Sequence, residues 1–121
     1  MADPRLRQAV ELFNSAAWYE CHDSLEEIWH ETQGPMRPVV QGILQIAVAH
    51  LHLERGNRRG ATVLLGEGVG RLLHSGGSEP LGLRIESLLG PARARLAALQ
   101  EGREVSGLPA PRLEEALQER R

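Results

Sequence analysis

A chain of 121 residues, 41% hydrophobic and 25% charged, has the material for a single domain with one real core and needs no disulfide or structural metal to hold it. Its net charge is −2 and its 14 basic residues, all arginine, are scattered, so no field draws in nucleic acid or an anionic membrane. A lone cysteine (Cys21), an N-terminus without an apolar leader, and a longest apolar run (Ile43 to Leu53) broken by Gln45, His50 and His52 set the expectation of a cytoplasmic protein with no membrane span.

Apolar residues recur at three- and four-residue spacings almost throughout, which predicts an all-α compact bundle of about five helices, antiparallel neighbours joined by short loops. The first helix starts at Asp3-Pro4, an N-cap followed by proline at the first helical position, and runs to about Asn14. Ser15 then caps a second helix that reaches about Thr32 and is stopped by Gln33-Gly34-Pro35. The third helix spans about Pro38 to Arg55, with Gly56 just past its end and Asn57 capping the next helix. It is apolar nearly all round, which suits a central position.

The fourth helix covers about Arg58 to Ser75. It carries Gly66, Gly68 and Gly70, each about 1 kcal/mol worse than alanine in a helix interior, so close packing against a neighbour is expected. Gly76-Gly77-Ser78 is a turn and Leu81 to Ile85 is ambiguous. A fifth helix then runs to about Gln100. Residues 1–101 read as the helical domain, and residues 102–121 as a Gly/Pro-containing linker with a short C-terminal helix or tail.

The second helix concentrates chemistry. At 100° per residue, Trp18, His22, Leu25 and Trp29 fall within a stripe of about 60°, with Cys21 and Ile28 on one flank and Glu26 on the other. On the third helix, Gln41, Gln45 and His52 lie within about 40° of each other, a polar line on an apolar helix. Buried polar groups must find partners. The simplest arrangement joins the two lines into a pocket of His22, Glu26, Gln41, Gln45 and His52, rimmed by Trp18, Tyr19 and Trp29. Within it, His22, Glu26 and His52 are candidate ligands for a divalent metal. Glu27 and His30 match half of a di-iron motif, but no second copy exists and that reading is rejected. Asn57, Arg58 and Arg59 at a helix start form a candidate anion site, against a plain inter-helix turn.

Phe13-Asn14, Tyr19-Glu20-Cys21-His22-Asp23, Leu25-Glu26 and Trp29, followed by Gln41 to Gln45, His52, and Gly56 to Ala61, resemble the two signature blocks of a bacterial and plant family catalogued as domain of unknown function 309. The resemblance covers roughly Leu6 to Leu73. It implies a compact helical fold with the two signature helices packed together, and it marks Glu20, His22, Glu26, Trp29, Gln45 and His52. The family often carries Glu where this chain has Asp23, which puts a strict coordinating role for that position in doubt. The resemblance brings no reaction with it.

Three functions compete for these residues. The leading one is a ligand- or protein-binding module with a His/Glu/Trp pocket between helices two and three. The second is a small metal-dependent, hydrolase-like enzyme using His22, Glu26 and His52. The third is a structural polar network in a chain that pairs with itself as a homodimer.

Overall fold

The computed structural model describes residues 4–75 and 79–116. Five helices are arranged in order: α1 (Pro4–Asn14), α2 (Trp18–Glu31), α3 (Met36–Glu54), α4 (Arg58–His74) and α5 (Ile85–Gln100), with a 3-10 turn at Pro80–Gly82 before the last. Each helix packs on its sequence neighbour, and α3 is gripped from both sides, by α2 and by α4. From α1 to α4 that is the consequence of short connections, which favour antiparallel return. No described helix is long and apolar enough to cross a membrane.

Punctuation of the helices follows local chemistry, with two departures from expectation. Pro4 opens α1, while the expected cap Asp3 lies outside the described residues. Ser15 does not cap α2: its hydroxyl donates back to Leu12 O, Ala16 turns through a left-handed conformation (φ 62°), and the helix starts at Trp18 behind Ala17. α3 begins at Met36, two residues before the expected Pro38, because a proline in the first turn forgoes only an amide that has no helical acceptor. Its end is as expected. Gly56 (φ 76°) donates to Leu53 O and Asn57 N to His52 O, the paired bonds of a Schellman motif. Asn57 Oδ1 then accepts from Gly60 N and caps α4.

α3 supplies the core's axis, with Val39, Val40, Ile43, Ile46, Ala47 and Ala49 fully buried. Phe13, Leu25, Leu65 and Leu88 close on it from the other four helices. The α3–α4 crossing is tightest where two glycines meet. A Cβ on Gly68 would stand 2.8 Å from Gly42 O, and one on Gly42 would stand 3.1 Å from Gly68 O. Of Gly66, Gly68 and Gly70, Gly68 alone serves the close approach; Gly66 meets only Leu96 at 3.9 Å and Gly70 meets nothing within 4 Å.

The segment after α5 departs furthest from expectation. Gly102 (φ 73°) ends the helix, and residues 103–116 then run as an irregular strap back across α5 and the end of α1, with a turn closed by Leu108 N on Val105 O. Residues 112–116, the described part of the segment expected as a short helix or tail, are not helical and carry an antiparallel bridge between Leu83 and Glu115. Pro111 and Leu113 are fully buried. Residues 112–116 are helix formers by local propensity, and contacts with distant residues override that preference.

Candidate functional site

α2 places its chemistry at the border of the core. The buried residues are Trp18, Cys21, Leu25 and Ile28, a stripe centred about 60–80° away from Trp29 and His22 on the helical wheel. His22 and Trp29 are therefore half-buried, not central as expected. Tyr19 is 57% exposed, Glu20 is exposed, and His30 is exposed with its ring tilted 5.1 Å from that of Trp29. The reason for the shift is α1. Cys21 Sγ reaches Ala9 O at 3.6 Å, so α1 lies over the cysteine side and rotates the histidine outward.

At that border the side chains of His22, Asp23 and Glu26 converge. His22 Nδ1 lies 3.3 Å from Asp23 Oδ1, and Nε2 lies 3.9 Å from Glu26 Oε1. One donor atom from each residue falls within 4.8 Å of the others. The His22 side chain is 29% exposed and that of Glu26 is 47% exposed, yet Nδ1 itself is buried and makes no hydrogen bond. Asp23, which the helical wheel points elsewhere, is the member that sequence reasoning misses. The signal is the short side chain beside His22, which folds along the helix surface.

The expected partners on α3 do not join this group. Gln45 faces α4, donating to Glu67 Oε1 at 2.9 Å and accepting from Arg71 Nε at 2.9 Å. Gln41 is half-buried one turn before it. His52 stands at the C-terminal end of α3, its Nδ1 accepting from Asn57 Nδ2 at 3.2 Å, outside the His22 cluster. Gln45 thus finds its partners across the α3–α4 seam, where the Gly42–Gly68 contact brings the backbones together. The expected pocket of His22, Glu26, Gln41, Gln45 and His52 is not assembled. Two surface hollows, of about 280 and 350 Å³, are lined by other residues: Glu79 and Arg84 to Ser87 for one, Pro38, Gly70, Arg71, His74 and Ser75 for the other.

What α2 and α3 share instead is Trp18 stacked on His50, centroids 4.8 Å apart, with Phe13 edge-on to Trp18 at 5.0 Å. His50 is 3% exposed. Its Nδ1 hydrogen bonds Ile46 O at 2.9 Å; since a carbonyl only accepts, Nδ1 carries the proton and Nε2 is a bare, buried lone pair with no partner. Burial lowers the pKa of His50 below its ordinary value, partly opposed by the Ile46 bond and helped by the charge of Arg95.

At the C-terminal end of α2, Arg37 lies 4.0 Å over the Trp29 ring and donates to Trp29 O and Thr32 O. That guanidinium closes off the helix carbonyls and covers Trp29, whose Nε1 is buried without a partner. At the start of α4, the anion candidates are occupied with structure: Asn57 is the cap, and Arg58 donates to Arg103 O at 2.8 Å. Arg59 is exposed. This is the arrangement of an inter-helix turn tied to the strap.

No curated protein matches the chain. Residues 6–64, which run from α1 into α4 and hold every member of the α2 border and of the Trp18–His50 stack, match a family model: over that stretch the chain resembles the family described as Domain of unknown function (DUF309).

Proposed function

We propose that this chain is a small helical binding module whose working surface is the outer edge of α2, and that His22, Asp23 and Glu26 take a divalent transition cation there. The observation that carries the reading is the convergence of three donor atoms within 4.8 Å, one of them from a half-buried histidine. Neutral imidazole and carboxylate suit zinc, iron or manganese, and donors around such an ion sit roughly 3.3 Å apart, a contraction that small side-chain rotations supply. Exposed Tyr19 lies beside the cluster, its ring centroid 6.4 Å from that of His22, and offers an aromatic contact to whatever the cation brings.

Three protein ligands leave a coordination position for water or a partner's group, as in catalytic zinc sites. That openness also favours the enzyme reading, in which a bound water becomes the nucleophile. Calorimetric titration with zinc, nickel and manganese tests both. One binding event per chain is expected, lost in His22→Ala and kept in Glu27→Gln, which removes a carboxylate outside the cluster. Absence of binding to all three metals in the wild-type protein would end the cation reading.

A further inference from the structure

The strap lies outside the residues matched by the family and is held in an unusual way. Three side chains, from α1, α4 and α5, grip its backbone. Arg58 donates to Arg103 O, Arg95 forks onto Leu108 O and Pro109 O, and Asn14 both donates to Leu113 O and accepts from Leu113 N, at 2.8 and 2.9 Å. The floor contributes backbone groups of its own: Arg84 N donates to Glu114 O, and Gly82 O accepts from Ala116 N. Pro91, inside α5, has no amide to give to Ser87 O, and that freed carbonyl accepts from Arg112 N at 3.3 Å.

Bonds of this kind recognise an extended backbone and no particular residue. Selection falls to the side chains that sink in, Pro111 and Leu113 fully and Leu108 in part. This is how grooves hold extended peptides: main-chain bonds for affinity, alternate pockets for specificity, and prolines to keep the segment extended before it binds. We propose that the surface under residues 103–116 is a peptide-binding groove, that the strap is its resident ligand, and that the same Leu-Pro-x-Pro-x-Leu segment of a second copy of this chain takes its place. Exchange can keep the contacts of residues 108–116 and alters the chain around Glu101–Gly102, where Arg103 N bonds Ala98 O. It obeys the two-fold logic of self-complementary dimers. The proposal stands apart from the cation reading, since none of the strap hydrogen bonds named above comes from α2.

The test uses the full chain and a fluorescent synthetic peptide of residues 103–116, monitored by anisotropy. In wild type the tethered strap competes at high effective concentration, so the peptide binds weakly. In Leu113→Asp the strap loses its deepest anchor, and the peptide should bind at least about tenfold tighter. A peptide carrying the same Leu113→Asp change should bind neither chain. Equal affinity for both chains, no binding to either, or equal binding of the altered peptide would overturn the proposal. If Leu113→Asp does not fold, hydrogen exchange of the wild type decides: the amides of Arg112, Leu113 and Ala116 should exchange at least about tenfold faster than those in the middle of α3, and equal rates would overturn the proposal.

Discussion

His50 enters the core with one ring nitrogen paired and the other bare, and this makes it the residue through which acid reaches the fold. Its folded-state pKa is lowered from 6.5, first by burial. Below that ordinary value the unfolded chain binds a proton that the folded chain refuses. The stability tied to neutral His50 is therefore complete above about pH 6.5 and drains as pH falls, until the folded imidazole itself protonates. Melting at about pH 5 should begin at a lower temperature than at about pH 8, and His50→Leu should shrink that difference; an unchanged difference would assign acid sensitivity to other groups. Cys21 is the inert counterpart. Burial pushes its thiol up to about 12, so almost no thiolate exists at neutral pH, and an aromatic disulfide reagent should label it only as fast as the protein unfolds. Rapid labelling of the folded protein would contradict this. Spacing marks Cys21 as a buried thiol and His50 as a core or interface histidine. Sequence places His22 too deep because a helical wheel gives angles between residues but no absolute phase, and the large tryptophans draw the expected centre of the buried face toward themselves.

At the scale of elements, two glycines of α4 that look alike in sequence should behave oppositely. Gly68→Ala places a methyl 2.8 Å from Gly42 O and 2.9 Å from Ile46 Cγ1. That forces α3 and α4 apart, and urea unfolding should show a loss of about 1–3 kcal/mol. Gly70→Ala meets nothing within 4 Å in a helical backbone, and should add up to about 1 kcal/mol. Helix identity and order are readable because 3.6-residue periodicity and the Gly56–Asn57 stop are local signals. The start of α2 escapes such reading because Ser15 satisfies a local bond of its own. The strap escapes it for a different reason: proline and glycine read as linker wherever the groups that hold the chain are far away in sequence, and Asn14 and Leu113 are separated by 99 positions.

For the whole molecule, the strap turns a row of sequential hairpins into a closed object. Asn14 and Arg7 on α1 meet Leu113 and Glu115, so the first helix and the last described segment share one surface. Asn14→Ala leaves both polar groups of Leu113 without that partner in a partly buried place, and should lower unfolding free energy by about 1–3 kcal/mol with an unchanged urea m-value. A reduced m-value would mean that the variant's strap is already open in its folded state. The closure also sets an order of events in time. Contacts along α1 to α4 join near neighbours and form early, whereas the Asn14–Leu113 clamp must wait until α5 and the strap are in place. Weakening it should therefore leave the refolding rate of the chain nearly untouched and steepen only its escape from the native state. The single asparagine at the end of α1 works as a latch on the lifetime of the fold, with no part in the route by which the fold is reached.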